Sequence, residues 1–591
     1  MKYRGVDYYP EQWGMDFVEE DLKNIKELNA NLIRICDFAW DKIEPENNKY
    51  DFSFFDEVIK KAKAQDIKVM MCIPTATIPS WLYQEDKEIM NENEYGYRQP
   101  FGARRGHCFN NEHYVSKAKA LAINMAKHYK DEENIVAWQV DNEIGHENSD
   151  MCYCETCHKK FINYLENKYK DISELNERWG TSFWTQTYKT FKDIPLPRPS
   201  FTAQNPSLRL EWERFRSKSA VDFISMMVTA IKSQDHNHPV THDFEGGTID
   251  KHFSPFDVAK CLDFAAYNNY PVWGGQPAPM SDSDLAFTVD FARGFKQEKI
   301  WVTEAIMGAQ GHNDIGYAPR PNEAKKWALD ALKHGVENTI FFRYRGFTKG
   351  AEQFCFGIID SDNEKRRKFY ETQSFFNEVE NIEIDYPVSK VCMVYDYDSK
   401  SSMSIQRQSD AFNYEKECQK LYRQLYIRNM NCDIINSDCD FSKYELVIIP
   451  YMIIMSDEFK ERLKKYVYDG GKVLFTPRCA YKDIDNNLVL GKRLPVDLQD
   501  LTGIVIEENN SLLMNQSCEV KYNGLTGQGF VFEELLKTVG AKSLIDYINN
   551  DFGDFIAVSV NDYGKGKSYY MGTSLDETIL NSLFDEILKH N

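Results

Sequence analysis

A chain of 591 residues is about four times the ~150 residues typical of one domain, which excludes a single small module. Hydrophobic residues make up 42%, charged residues 27% and aromatics 14%, with only 31 Gly and 20 Pro, so the composition is globular rather than disordered or collagen-like. Lys and Arg number 71 against 91 Asp and Glu, a net charge of −20, which leaves no basic excess for nucleic-acid phosphates or an anionic membrane surface.

The opening Met1-Lys2-Tyr3-Arg4-Gly5 continues without the roughly 7–15-residue apolar stretch of a signal peptide, and no run of about 18 apolar residues occurs, so a soluble cytoplasmic protein is expected. Short apolar runs at 2–8, 30–36, 67–74, 134–141, 238–243, 262–268, 299–304 and 338–344 read as strands. Amphipathic helical patterns fall between them at 17–28, 54–64, 114–129, 156–169, 208–233, 282–297 and 322–335. Eight strands with intervening helices predict a (β/α)8 TIM barrel over residues 1–383. The rival, a doubly wound sheet, lacks a Gly-rich fingerprint after the first strand. The acidic stretch 378–385 reads as the linker. A second series has strands at 391–394, 432–435, 446–449, 472–475 and 568–571, with helices at 415–428, 457–469 and 576–589. It predicts a smaller flavodoxin-like α/β domain over 384–591.

In a barrel enzyme, residues at the C-terminal ends of strands face the site. Two glutamates stand there: Glu143, after Val140-Asp141-Asn142 on strand four, and Glu304, in Trp301-Val302-Thr303-Glu304 on strand seven. A carboxylate so placed is desolvated, which costs free energy unless it is partnered or used. Helix capping or pairing with Arg would explain either one alone. Their joint placement suits glycoside hydrolysis by retention, where two carboxyls about 5–5.5 Å apart act as acid/base and nucleophile. Asn142, directly before the first, can bond a sugar 2-hydroxyl. A catalytically silent carbohydrate-binding protein is the rival from another class, and it would be expected to lose one of the two.

With these residues goes a family likeness. Gly5-Val6-Asp7-Tyr8-Tyr9-Pro10-Glu11-Gln12-Trp13, the segment from Trp138 to Gly145, Asn268-Asn269-Tyr270-Pro271, and Phe342-Arg343-Tyr344-Arg345 followed by Gly350-Ala351-Glu352-Gln353-Phe354 resemble glycoside hydrolase family 42, the β-galactosidases. The resemblance spans essentially the whole chain. It implies Glu143 as acid/base, Glu304 as nucleophile, a pocket of Arg104, Asn142, Trp184, Tyr270, Phe342 and Glu352, and a homotrimer assembled through the second domain. Tyr270 can donate to the nucleophile, and Arg34, ending strand two, can hold it ionised.

The chain departs from the family at two pocket positions, with His312 where Trp is usual and Cys355 where His is usual. Both changes implicate glycone recognition and raise the alternative of an α-L-arabinopyranoside, which lacks the hydroxymethyl of galactose. The spacing of Cys152, Cys154 and Cys157, with Cys108 earlier, offers four thiolates suited to a structural tetrahedral zinc, and His107, His146 and His158 stand near as substitute ligands. The competing explanation is free surface thiols, which would be prone to oxidation. No organic cofactor is implied. Cys479 lacks a nucleophile-elbow context and reads as a buried structural thiol.

Overall fold

Strands buried on both faces need near-continuous apolar sequence, and runs such as Val69-Met70-Met71-Cys72-Ile73 supply it. The computed structural model describes residues 1–249 and 251–589. Contacts divide the chain into two compact units, Met1–Asn163 with Phe215–Pro387, and Tyr164–Arg214 with Val388–Asn591.

The first unit is the barrel. Its strands are β1 (Arg4–Asp7), β2 (Leu32–Ile35), β3 (Lys68–Ile73), β4 (Ile135–Val140), β5 (Val240–Thr241), β6 (Asp243–Phe244), β7 (Ala266–Asn269), β8 (Ile300–Ile306) and β9 (Val336–Phe342). They pair in the order β5-β4-β3-β2-β1-β9-β8-β7-β6. β5 and β6 are halves of one strand broken at His242, so nine segments close as eight staves and form the expected TIM barrel. The break has a local cause: the His242 ring is held between the Val140 carbonyl and the Ile144 amide. The strand expected at 262–268 begins only at Ala266, because Asp263 sits in a turn that bonds back to the Val240 backbone.

Alternation along the strands builds the interior in layers. Leu32, Met70, Ala137, Ala266, Trp301 and Ile340 pack together as an apolar plug. Two residues further along four of these strands stand Arg34, Gln139, Asn268 and Phe342, the polar and aromatic layer above. Gly5 admits the close packing of β1, where a Cβ would meet Ile340 at 2.9 Å. On β8 the register slips between Val302 and Ala305, a bulge that sets Glu304 three positions, not two, beyond the plug residue Trp301.

In the second unit, β10 (Val391–Tyr395), β11 (Cys432–Asn436), β12 (Leu446–Ile449) and β13 (Lys472–Phe475) are parallel. An antiparallel block follows: β14 (Ile504–Ser511), β15 (Cys518–Tyr522), β16 (Leu525–Phe530), β17 (Phe532–Thr538), β18 (Lys542–Ile548) and β19 (Ile556–Tyr563), before β20 (Gly566–Met571) rejoins the parallel set. The parallel order β11-β10-β12-β13-β20 is the 2-1-3-4-5 of flavodoxin-like sheets. The block from 504 to 563 escapes the sequence reading because its strands are half exposed and polar, as in Glu507-Glu508-Asn509-Asn510. Segment 164–214 groups with this unit rather than with the barrel sequence that surrounds it: Arg178 forks onto Asp485 with two 2.8 Å bonds, and Ser207 donates to the Asp485 carbonyl at 2.6 Å. Among the described residues, no helix is long and apolar enough to cross a membrane.

Candidate active site

The C-terminal ends of the barrel strands open into a cleft of about 360 Å³, within the range of small-molecule sites. Its lining includes Arg104, Glu143, Tyr270, Glu304, Phe342 and Glu352. Glu143 follows β4 on a turn in which Asp141 (φ 56°) and Glu143 (φ 46°) both take left-handed backbone, an unfavourable state for such residues unless the surroundings impose it. Thr75 Oγ1 donates to Asp141 Oδ2 at 2.7 Å, the Glu143 amide donates to Asp243 Oδ1 at 3.2 Å, and the Ile144 amide donates to His242 Nε2 at 3.2 Å. His242 Nδ1 lies 2.8 Å from the Val140 carbonyl, so the ring bridges donor and acceptor as a neutral imidazole, and burial holds its pKa below the usual range.

Arg34, fully buried, spends all five N–H groups on this layer. Nε donates to Gln139 (2.7 Å), Nη1 to Asp7 (2.8 Å) and Glu304 Oε1 (3.0 Å), and Nη2 to Asn142 and Asp243 (both 3.0 Å). Tyr270 Oη donates to Glu304 Oε2 at 2.6 Å. On Glu143, Asn268 Nδ2 donates to Oε1 at 2.8 Å and Arg105 Nη2 to Oε2 at 2.6 Å. Both glutamates therefore have each oxygen bonded to a donor from a different element.

Burial pushes Glu304 up to about 8; Arg34 pulls it down, and the charges of Glu143 and Asp243 push it up again. Arg34 is thus in place to favour the ionised form, but burial outweighs it. Burial also raises Glu143, yet His146, Arg105 and Arg104, together with the Asn268 amide, more than offset it and hold its carboxyl well below the usual range. Sharing one site, the two carboxyls titrate as a pair. Burial thus favours the protonated form of Glu304, and the cations around Glu143 favour its ionised form.

Glu352 is bound by Arg343 Nη1 at 2.8 Å and lies 3.5 Å from Arg104 Nη1 and 3.6 Å from His312 Nε2. Burial raises its carboxyl, but His312, Arg343 and Arg104 bring it down to about 2. Tyr270, Trp273 and Phe342 form an aromatic wall, with centroids 5.1 Å apart for Tyr270–Trp273 and 6.1 Å for Tyr270–Phe342, an apolar face for the C–H side of a sugar. Gly246 permits the floor of the cleft, where a Cβ would fall 1.5 Å from the Asn268 carbonyl oxygen.

The expected residues do not all converge. Asn142 is buried behind the lining on Arg34, and His312 stands at the side, edge-on to Trp273. Cys355 is fully buried with its Sγ on the Gly311 carbonyl, so it does not face a sugar. Trp184 lies in the second unit on an exposed turn and is not among the cleft-lining residues. Sequence reasoning missed Arg105, Asp7, Asp243, Asn268 and His242. The rule that polar residues ending barrel strands face the site would have found Asp7, Asp243 and Asn268; nothing in the pair Arg104-Arg105 told which one reaches Glu143.

Cys108, Cys152, Cys154 and Cys157 form a buried cluster with all four Sγ atoms within 4.8 Å of one another. Cys108 Sγ lies 3.8 Å from that of Cys154 and 3.4 Å from that of Cys157; a tetrahedron with metal–sulfur bonds of about 2.3 Å has edges of about 3.8 Å. Asn110 donates its backbone amide to Cys108 Sγ and its side-chain amide to Cys157 Sγ, the outer bonds a thiolate site uses. The cluster can hold a metal ion. His107 instead packs on Tyr114, and His146 on Glu245.

Residues 7–382 match the family model for glycoside hydrolase family 42 β-galactosidase, and residues 389–591 match the β-galactosidase trimerisation domain. The β-galactosidase BgaA of Clostridium cellulovorans is 30% identical over 590 residues, 99% of this chain and 88% of that protein. The β-galactosidase structure from the Antarctic haloarchaeon Halorubrum lacusprofundi superposes with a TM-score of 0.95 at 28% identity, covering 100% of this chain and 89% of that one. That from Bacillus circulans sp. alkalophilus gives 0.94 at 27% identity, covering 100% and 88%. The chain belongs to glycoside hydrolase family 42 and is a glycoside hydrolase of the β-galactosidase type.

Proposed function

We propose that this protein removes terminal β-D-galactosyl units with retention through a covalent glycosyl-enzyme. Glu143 protonates the leaving oxygen and then activates water, while Glu304 attacks the anomeric carbon. The observation that carries the reading is the convergence of two carboxylates from opposite staves on one cleft, with Tyr270 and Arg34 each fixing one oxygen of Glu304. The productive state has the proton of the pair on Glu143, whose carbonyl oxygen can still accept from Arg105 Nη2. Hydrolysis of 4-nitrophenyl β-galactoside followed by NMR must release the β-anomer first. Glu304→Ala must be inactive and be rescued by azide as the α-galactosyl azide; α-galactose as first product, or no loss in the variant, refutes the scheme.

A second reading, the same chemistry on α-L-arabinopyranosides, is favoured by His312, a small polar ring 3.6 Å from Glu352 where the family has a broad apolar one. Four clustered thiols favour a structural zinc over a catalytic one, since four protein ligands leave no open position. The match to a trimerisation domain supports a homotrimer. Fourteen cysteines without a disulfide among the described residues favour a reducing, cytoplasmic compartment.

A further inference from the structure

One ionisable pair in the cleft takes no part in the two-carboxylate chemistry. His146 and Glu245 both line the cleft, with side chains 27% and 25% exposed, and His146 Nδ1 lies 2.6 Å from Glu245 Oε1. Lys251, buried, donates to the other oxygen, Oε2, at 3.2 Å. Burial raises the Glu245 carboxyl, but Lys251 and His146 bring it down to about 2, so an anion anchors the ring. The ring belongs to the cleft and not to the thiol cluster.

The local backbone brings this pair to the acid/base. The His146 amide donates to the Glu143 carbonyl at 3.0 Å, closing a turn over Ile144 and Gly145. Gly145 is left-handed (φ 79°), and a Cβ there would meet Phe253 at 2.8 Å, so glycine is what lets the turn close against that side chain. An imidazole three positions beyond a carboxylate, lining the same cleft, acts on its charge, and His146 is foremost among the cations that lower Glu143. The charged groups around the ring come from three elements: Glu143 and Glu147 on its own turn, Glu245 with Lys251 after β6, and Arg104 with Arg105 on the loop before Cys108. Asp150, close to Gly145, is paired with Arg216 at 2.7 Å.

We infer that His146 is a positioning residue of the reaction: anchored by Glu245, its ring governs how firmly Glu143 holds the proton that it must deliver to the leaving oxygen. The inference rests on the proposed galactosidase reading, in which Glu143 is the acid. A protonated ring favours the Glu143 carboxylate and a neutral ring favours its acid form, so the charge state of one group is felt by the other.

The test reads the basic limb of kcat/KM against pH, where the acid loses its proton. It compares lactose with 2,4-dinitrophenyl β-galactoside, whose leaving group departs without protonation. His146→Asn keeps a donor for Glu245 and removes the charge, whereas His146→Lys keeps a charge. With lactose the limb is expected about one pH unit higher in His146→Asn, and within about 0.3 of the natural protein or below it in His146→Lys. With the dinitrophenyl substrate it is expected to move by less than about 0.3 in both. A limb that stays put in His146→Asn, or moves equally in both variants or with both substrates, overturns the assignment. If the natural protein cleaves neither substrate, or if its two basic limbs coincide, the failure lies in the galactosidase reading or in Glu143 as its acid, and this inference falls with it. Dinitrophenyl turnover in each variant shows that it is folded.

Discussion

Replacing Arg34 by Lys keeps the positive charge and removes the fork, which isolates geometry from charge. Arg34 fills five acceptors on Gln139, Asp7, Glu304, Asn142 and Asp243. An ammonium has three donors, so at least two of these fully buried acceptors lose their partner. Each unsatisfied buried acceptor costs about 1–3 kcal/mol, more when charged, giving a destabilisation of about 2–6 kcal/mol. The catalytic loss has a separate origin: without Nη1 at 3.0 Å, Glu304 keeps only Tyr270 to orient it, and a shift of about 1 Å in a reacting group costs ~10²-fold in rate. Scanning calorimetry should show the first unfolding transition clearly lowered, and kcat/KM on 4-nitrophenyl β-galactoside should fall at least a hundredfold. A variant that melts with the natural protein and keeps its rate within threefold would refute the reasoning, because charge alone would then suffice.

Glu304 is raised in the folded state to about 8 from about 4.5, so the stability it contributes is full below pH ~4.5 and is lost as pH rises through 8; Glu304→Gln, free of that loss, should gain stability over the natural protein progressively between pH 5 and 9 in urea titrations, and a pH-independent difference would contradict the assignment. Glu143→Gln removes one of the charges that raise Glu304, so the acidic limb of kcat/KM for 2,4-dinitrophenyl β-galactoside should move to lower pH; an upward shift refutes the pairing. Cys154→Ser should lose about one zinc per chain by elemental analysis and melt at lower temperature, with reduced activity because Cys108 follows Arg105 by three residues; a metal-free natural protein would end the zinc proposal. His312→Trp should raise the ratio of galactoside to arabinopyranoside kcat/KM, by about tenfold for ~1.4 kcal/mol, and an unchanged ratio locates discrimination elsewhere.

The barrel was legible because its staves are apolar runs separated by amphipathic helices, a pattern that survives errors of two or three residues at each end. The parallel core of the second unit was legible for the same reason. Its antiparallel block was not: strands such as Cys518–Tyr522 bury only alternate positions and are otherwise charged, so their sequence does not differ from loop. In the site, Glu143 and Glu304 stood out as charges ending apolar strands. The partners that fix them came less clearly, because a contact such as Arg105 to Glu143 depends on which way a loop residue turns. Cys355 shows what a position matched by resemblance does and does not carry. A position matched by resemblance carries its place in the chain, but the side chain there, smaller than the family's, is buried against Gly311 instead of reaching the cleft.

The bulge on β8 explains why a period-two reading could not have placed Glu304. Counting by twos from the plug residue Trp301 reaches Thr303, which the structure turns onto Asn268 at 3.1 Å; the extra residue brings Glu304 to the cleft instead. The irregularity is kept in place by the polar layer, since Arg34 joins β1, β2, β4, β6 and β8 through single bonds to Asp7, Gln139, Asp243 and Glu304. One guanidinium stands among four carboxylates, those of Asp7, Asp37, Asp243 and Glu304. It cannot balance all four as anions in so dry a layer, and burial correspondingly raises Asp7 and Asp243. The protons that this layer must hold are therefore a property of the whole ring of staves. Changes at Asp7, Arg34 and Asp243 should for that reason be strongly non-additive in double-mutant cycles, with coupling of about 0.5–3 kcal/mol, whereas independent contributions would mean that each carboxylate is satisfied on its own.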